Sequence, residues 1–268
     1  RYWAEGLMKH MDHDFTLFFN KPHNWKWQMI GGVLNFIKEV NESDPFDLIV
    51  ASDMVNLPLL KSTLAQKHQG TPILVYFHEN QITYPWSPND MDIKKKRDHH
   101  YGWINYISAV LAERIVFNSS YHKQSFLYSL PGFIRMFPKF RSSISLEVIR
   151  QKSCVLPIGI DFQESKNDIS NRPIFIWNHR WEYDKNPKEF FKTLFQLSSE
   201  GIDFGLIVVG KEYKNCPSIF IEAKKTLMAH IIHWGWVESR TKYLGLLRQS
   251  NMLLVTSFQD FFGISIVE

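Results

Sequence analysis

Short, continuous apolar runs rich in β-branched and aromatic residues alternate with longer amphipathic stretches along this chain. Runs of this kind predict buried strands, and stretches with apolar residues three and four apart predict helices. The predicted strands are 15–19, 47–51, 72–77, 114–118, 174–177, 204–210, 231–234 and 252–256. The clearest predicted helices are 2–11, 57–67, 95–112 and one that begins near Lys188. This alternation favours parallel sheets with helices on both faces.

The stretch 142–172 breaks the alternation, because it is mixed, polar and interrupted by Pro157 and Gly159. We take it as the junction between two doubly wound domains, 1–165 and 166–268. The chain opens on a predicted helix without an initiator Met and ends at Glu268 within another. We therefore interpret it as a fragment truncated at both ends, whose second domain lacks its last elements.

Composition narrows the class of protein. With 268 residues and 44% hydrophobic content, the chain can bury a large core. No apolar run approaches the roughly 18 residues of a membrane span, and no signal peptide is visible. Cys154 and Cys216 lack metal-ligand spacing and are expected to be reduced, which predicts a cytoplasmic location. We expect no membrane association, and no obligate protein partner is evident. A Rossmann dehydrogenase is disfavoured because no G-x-G-x-x-G string occurs.

Polar residues lie at or shortly after the ends of four of the predicted strands. They are His78, Asn118, Arg180 and Asp260. Ligands of open α/β sheets bind outside the carboxyl ends of the strands, so these positions predict ligand contacts at the sheet edges.

Two charged pairs suggest the chemistry of that ligand. Arg180 and Lys185 lie five apart on one strand-to-helix loop, and a guanidinium with an ammonium suits a diphosphate leaving group. Asp260 and Glu268, eight apart, bracket Gly263 at a predicted helix start, where free N–H groups favour an anion. Taken singly, the basic residues are more often surface charges, and an acid near a helix start is more often a cap.

Four motifs tie these residues to a family. They are YFHENQITYP at 76–85, FNS at 117–119, HRWEYDKNP at 179–187 and FFG at 261–263. Together they resemble the tRNA-queuosine mannosyltransferases and their bacterial relatives, within the retaining GT-B glycosyltransferases. The resemblance runs with gaps from about residue 47 to 268. One departure is Asp260, where the wider group usually has Glu.

The resemblance implies a GT-B fold, in which two Rossmann-like domains face a cleft and the first strand is missing from this chain. It implies transfer of a hexose, mannose from GDP-mannose, to queuosine in tRNA, with no metal and no cofactor besides the nucleotide-sugar donor. His78, Arg180 and Lys185 would be catalytic, with His78 reaching the donor sugar from the opposite domain. The implied donor-binding residues are Arg180, Lys185, Trp236, Val237, Asp260, Phe262, Gly263, Ile264 and Glu268. Two alternatives stay open: a glycan or lipid acceptor, and an inactive module that only binds nucleotide sugars.

Two further features have competing interpretations. His78 and Glu79 resemble part of a zinc motif, but the second His would fall at 82, which is Ile, so a structural or sugar-binding His is favoured. The basic run Lys94, Lys95, Lys96 and Arg97 is either a solvated helix start or a contact for tRNA phosphates. Cations are unfavourable at a helix N-terminus, which hints at an external anion, and the net charge of +4 permits one.

Overall fold

A computed structural model of the chain describes residues 2–87, 90–95, 97, 99–137, 146–161, 172–212 and 216–268. The chain divides into two compact units, Arg1–Gly159 and Ile160–Glu268. Each unit contains its own four-stranded parallel sheet. Positions 165 and 166, where the sequence places the domain boundary, lie outside the described residues.

Unit 1 has strands β1 to β4 in the spatial order β1-β2-β3-β4. The strands are β1 Ile49–Ser52, β2 Ile73–Phe77, β3 Arg114–Phe117 and β4 Ser153–Val155. The helices are α1 Tyr2–His10, α2 Trp25–Gly31, α3 Ile37–Glu42, α4 Leu57–Thr63, α5 Met91–Lys94, α6 His99–Leu111, α7 Ser120–Arg135 and α8 Leu146–Gln151. Short 3₁₀ turns cover Gly32–Asn35 and Gln66–His68.

The core of unit 1 forms where alternate residues of the central strands meet the helices. Phe77 of β2 and Phe117 of β3 are fully buried, with ring centroids 5.1 Å apart. Phe126 of α7 packs on both rings. α7 begins where the Ser119 side chain accepts the His122 backbone N–H at 3.0 Å, an N-cap directly after β3. The core and this cap fix the loops at the carboxyl ends of β2 and β3.

Unit 2 has strands β5 to β8 in the spatial order β7-β6-β5-β8. The strands are β5 Ile174–Trp177, β6 Gly205–Val209, β7 Ile231–Gly235 and β8 Met252–Leu253. The helices are α9 Pro187–Ser199, α10 Ile219–Thr226, α11 Arg240–Gln249 and α12 Ile264–Val267, with 3₁₀ turns at Tyr183–Lys185 and Met228–His230. The chain builds outward from β5 on one side and then returns to place β8 on the other. The strand order therefore reverses between β5 and β8.

The predicted parallel α/β architecture is confirmed, and three local predictions need correction. Residues 15–19 do not form a strand, because Phe18 instead packs its ring against Phe36 and Phe46, with centroids 6.3 and 6.2 Å apart. β8 covers only Met252–Leu253. The helix expected from residue 95 begins at His99, after the separate short helix α5.

Among the described residues, every helix is too short or too polar to cross a membrane.

Candidate active site

The loop after β5 places Arg180 and Lys185 at the reversal of strand order in unit 2. Its backbone turns through the 3₁₀ segment Tyr183–Lys185 and then through Asn186, whose φ of 51° is left-handed. Pro187 then starts α9, where its fixed φ suits the first helical position and its missing N–H costs nothing. Ligand crevices of doubly wound sheets lie at this reversal, between β5 and β8.

Lys185 lies at the centre of an ion cluster. Its Nζ lies 2.6 Å from Asp260 Oδ1 and 3.1 Å from Asp184 Oδ2, and Lys185 is only 8% exposed. Asp184 is buried, whereas Asp260 is partly exposed. A buried ammonium needs such carboxylates, because an unpaired charge away from water is strongly unfavourable.

Arg180 lies at the exposed side of the same loop. Its guanidinium is 3.0 Å from a carboxylate oxygen of Glu182 and 3.9 Å from one of Asp184. The structure thus brings together three predicted site residues, Arg180, Lys185 and Asp260, and adds Asp184 as a bridge between the two cations. Asp184 was missed by the sequence analysis, although it stands inside the HRWEYDKNP motif.

The loop after β8 is tied to the loop after β5. The Thr256 hydroxyl donates to the backbone oxygen of Lys185 at 3.0 Å, and the Phe258 N–H donates to the backbone oxygen of Asp184 at 2.9 Å. Farther on, Ser265 of α12 bonds to two residues of the β5 loop: Asn178 Nδ2 donates to its carbonyl, and its hydroxyl lies 2.9 Å from His179 Nδ1. These bonds hold Asp260 beside Lys185 in the described structure.

Gly263 precedes α12 with a φ of 71°, and the helix that follows is four residues long. Burial lowers the pKa of His179, next to this helix, from 6.5 to about 4, so its ring is neutral at pH 7.

Glu268 has different neighbours from those of Asp260. Its carboxylate oxygens lie 2.6 Å from an Arg240 nitrogen and accept the Tyr243 hydroxyl at 2.9 Å, both from α11. Arg240 and Tyr243 were not singled out from the sequence. Phe262 and Ile264 flank Gly263; Phe262 is half-buried and Ile264 is exposed.

A cavity of about 420 Å³ opens at the carboxyl ends of β5, β6 and β7. It is lined by Trp181, Lys211, Glu212, Gly235 and Trp236. Trp236 is 62% exposed, while its neighbour Val237 packs on the core residues of the sheet. The indole of Trp181 stacks on Phe220 with the rings 4.5 Å apart and nearly parallel, which gives the cavity a fixed wall.

In unit 1, His78 lies in a hydrogen-bonded network at the end of β2. Its backbone N–H donates to Asp53 Oδ1 at 2.8 Å, and its ring Nδ1 is 3.3 Å from the same oxygen. Asn118 Nδ2 donates to the His78 carbonyl at 2.8 Å, and Asn118 Oδ1 lies 2.8 Å from Nδ1 of the buried His122. Burial lowers the pKa of His122 from 6.5 to about 4. Asp53 and His122 carry no motif that identifies them in the sequence.

The basic run is not at the start of the long helix. Lys94 is the last residue of α5, Lys95 caps that helix, and Arg97 precedes α6 with its guanidinium 3.6 Å from Asp92. Lys96 lies outside the described residues. Cations are favourable at a helix C-terminus, so the helix-dipole argument for an external anion was wrong. Across the described part of the chain, no three His, Cys, Asp or Glu side chains are placed to hold a metal ion.

Comparisons with known proteins bear on both units. The family described as tRNA-queuosine alpha-mannosyltransferase N-terminal matches residues 1–160. A tRNA-queuosine alpha-mannosyltransferase of Drosophila melanogaster is 30% identical over 276 residues, which cover 98% of this chain and 71% of the relative. The chain belongs to the tRNA-queuosine alpha-mannosyltransferase family.

Members of this family are glycosyltransferases. Solved structures of low sequence identity share the fold of this chain. TarM superposes with a TM-score of 0.55 at 11% identity, covering 90% of this chain and 41% of TarM. The lipopolysaccharide outer core galactosyltransferase WaaB gives 0.51 at 15%, covering 93% and 60%. A glycosyltransferase from Rickettsia africae gives 0.51 at 17%, covering 98% and 65%. This chain thus spans less than two thirds of each of these three structures. The likenesses confirm the predicted GT-B fold class for this family member, with two Rossmann-like units.

Proposed function

We propose that this protein is a retaining glycosyltransferase that transfers mannose from GDP-mannose to queuosine in tRNA. The observation that supports this most directly is the ion cluster of Arg180, Asp184, Lys185 and Asp260 at the strand reversal of unit 2. It lies where a doubly wound sheet binds nucleotides, in a chain whose family is named for this reaction.

The cluster suits a ligand that brings its own negative charge. In the structure, Asp184 and Asp260 compensate the Lys185 ammonium. A diphosphate would supply that compensation itself, which would leave the Asp260 carboxylate to accept hydrogen bonds from sugar hydroxyls. Arg180 and Lys185 would then stabilise the charge that grows on the departing diphosphate, together with the N–H groups after Gly263.

The other predicted residues have supporting roles in this proposal. The cavity beside Trp236 and Val237 would receive the nucleobase, since an exposed indole and a fixed Trp181 wall offer flat apolar surface. Glu268 would bind ribose hydroxyls, which requires it to exchange its present bonds to Arg240 and Tyr243. His78 would hydrogen-bond the donor sugar. Phe262 and Ile264 would shape the backbone around Gly263.

We assign no metal and no general base to the reaction. In a retaining transfer of this kind the leaving phosphate takes the acceptor proton, so the protein must hold the two substrates and stabilise the leaving group. Lys94, Lys95, Lys96 and Arg97 are our proposed tRNA contacts. We place the reaction in the cytoplasm, in keeping with the unpaired Cys154 and Cys216.

The deciding experiment uses the full-length protein, GDP-mannose and two tRNA preparations that differ only in queuosine. We expect nucleoside mass spectrometry to find mannosylated queuosine in the preparation that contains queuosine and no product in the preparation that lacks it. Donor binding without transfer to any acceptor would instead indicate an inactive nucleotide-sugar-binding module. Transfer to a glycan or lipid but not to tRNA would keep the glycosyltransferase and overturn the acceptor.

A further inference from the structure

Asp53 contacts His78 through a single buried oxygen. Asp53 follows β1, His78 follows β2, and these strands are hydrogen-bonded neighbours in register. Oδ1 of Asp53 accepts the His78 backbone N–H at 2.8 Å and lies 3.3 Å from its ring Nδ1. Asp53 is 2% exposed, whereas the His78 side chain is 33% exposed. Asp53 therefore lies inside the protein, whereas the His78 ring is accessible to a ligand.

The chemistry of the pair decides which ring nitrogen faces a ligand. An ionised carboxylate has no proton and only accepts hydrogen bonds, so Nδ1 of His78 must donate to it. A neutral imidazole with a proton on Nδ1 has a lone pair on Nε2. Nε2 can then accept a hydrogen bond from a hydroxyl.

Neighbouring groups hold the ring and the carboxylate in place. Trp3 meets the His78 ring edge-on at 4.9 Å, and Tyr76 lies 4.8 Å away on a tilted plane. Asn118 Nδ2 holds the His78 carbonyl, and Asn105 Nδ2 donates to the Asp53 carbonyl at 2.9 Å. The backbones of both residues are therefore held by hydrogen bonds, and the ring contacts two aromatic neighbours.

We infer that Asp53 is a positioning residue that keeps His78 in the Nδ1–H tautomer, so that Nε2 accepts a hydrogen bond from a substrate hydroxyl. This rests on the proposed function only for the identity of the hydroxyl. The competing role is structural, in which Asp53 merely satisfies the backbone N–H at the end of β2.

The chain offers a matched control for that structural role. At the other end of β2, Oε2 of Glu113 accepts the Ile73 backbone N–H at 2.7 Å. Glu113 also pairs with Lys61, far along the strand from His78. Glu113→Gln therefore disturbs a similar carboxylate-to-backbone bond without touching His78.

The first test is a double-mutant cycle on transfer by the full-length protein. Asp53→Asn keeps an oxygen for the backbone N–H but loses the charge. It should lower kcat by roughly 10–100-fold, the range for loss of a carboxylate that orients a metal-bound histidine. In a His78→Ala background the same change should have no further effect. Glu113→Gln should have the same small effect in both backgrounds. Equal effects of Asp53→Asn in both backgrounds would overturn the inference.

The second test needs no activity. Long-range nitrogen-15 spectra of the full-length protein, with His78 assigned from the His78→Ala spectrum, should show the proton on Nδ1 in the wild type and in Glu113→Gln. In Asp53→Asn the share of rings with the proton on Nδ1 should fall, because a neutral amide oxygen is a weaker acceptor for Nδ1–H than a carboxylate oxygen. Finding Nε2–H in the wild type would refute the assignment. If the wild type transfers no sugar, the proposed function fails, and this spectrum still decides on Asp53.

Discussion

The two units present different chemistry at the carboxyl ends of their strands. In unit 1 the polar side chains, Asp53, His78, Asn118 and His122, form a chain of hydrogen bonds with one carboxylate. In unit 2 the corresponding edge gathers two cations and three carboxylates, from Arg180, Glu182, Asp184, Lys185 and Asp260. Hydrogen bonds fix direction, whereas ion pairs can exchange one anion for another. This contrast fits the roles that we propose for the two units, in which unit 1 orients a group and unit 2 accepts a charged one.

The difference extends to the backbone beneath each edge. In unit 2, Gly210 follows β6 with a φ of 141°, and a Cβ there would lie 2.1 Å from the carbonyl oxygen of His179. The β5 loop therefore rests directly on the β6 backbone. The His78 loop of unit 1 is instead held by the side chains of Asp53 and Asn118.

Gly210→Ala should have the largest effect. The added methyl collides with His179 and the residue must adopt a φ that only glycine tolerates, so we expect a loss of about 4 kcal/mol in the unfolding free energy. Urea unfolding with hydrogen exchange should locate the loss in unit 2. Gly245→Ala is the control, because its site in α11 is open and the helix should gain about 0.5–1 kcal/mol. A stable Gly210→Ala protein would refute the direct contact between the two loops.

Removal of the cations tests whether the unit 2 edge is built for a diphosphate. Arg180→Ala and Lys185→Ala should each cost about 2–4 kcal/mol of transition-state stabilisation, mainly in kcat/KM for the donor. Lys185→Ala should also destabilise the fold, because Asp184 would lose a partner in a buried position.

The matched control for the cations is Lys188→Ala, an exposed lysine at the start of α9. It changes the same charge on the same loop-to-helix junction without reaching the cluster. If Arg180→Ala and Lys185→Ala turn over within a factor of about three of the wild type, the loss of transition-state stabilisation is less than 1 kcal/mol. That result would remove both residues from the site.

The sequence predicted most strands and the two cations of unit 2, but it did not predict which side chains from different strands lie together. β2, β3, β5 and β6 were predicted because buried parallel strands are continuous apolar runs. The unit 2 cations were found because they share one short loop. The Lys185–Asp260 pair spans 75 positions, and the Asp53–His78 pair joins two strands, so their distances follow from the register of the sheets. The strand predicted at 15–19 failed because an aromatic run also fits a loop that packs its rings into a core.

The third prediction concerns a feature common to both sheet edges: each has one buried, neutral histidine. Burial lowers the folded pKa of His122 and of His179 from 6.5 to about 4. Between these values the unfolded state binds the proton and the folded state does not, so stability falls as pH falls from 7 towards 4. Each histidine should contribute a loss of about 2 kcal/mol between pH 7 and pH 5.

Urea unfolding at several pH values, with hydrogen exchange resolved by unit, measures both losses. His122→Gln should reduce the pH dependence of unit 1 alone, and His179→Gln that of unit 2 alone. An unchanged pH dependence in either variant would mean that the corresponding ring takes up its proton without unfolding.

Substitution of the basic run of unit 1 should have the smallest effect on the fold. It tests whether unit 1 also binds a charged ligand. Changing Lys94, Lys95, Lys96 and Arg97 to Gln should leave stability nearly unchanged, because the described members are exposed. If they hold tRNA phosphates, tRNA binding should weaken and its salt dependence should flatten by roughly 0.7–0.9 log unit for each phosphate that is no longer neutralised. Donor binding should persist, since the proposed diphosphate site lies in unit 2.

The control replaces four exposed lysines of unit 2, Lys188, Lys192, Lys224 and Lys225, with Gln. Both variants lose four positive charges, so a general effect of net charge would weaken tRNA binding equally. A selective loss in the unit 1 variant would show that its basic run holds phosphates, although the position of Lys94 at the end of α5 already suits the helix dipole. Equal salt slopes in both variants and the wild type would make the run a solvated helix end, and would leave the charge-binding role to unit 2 alone.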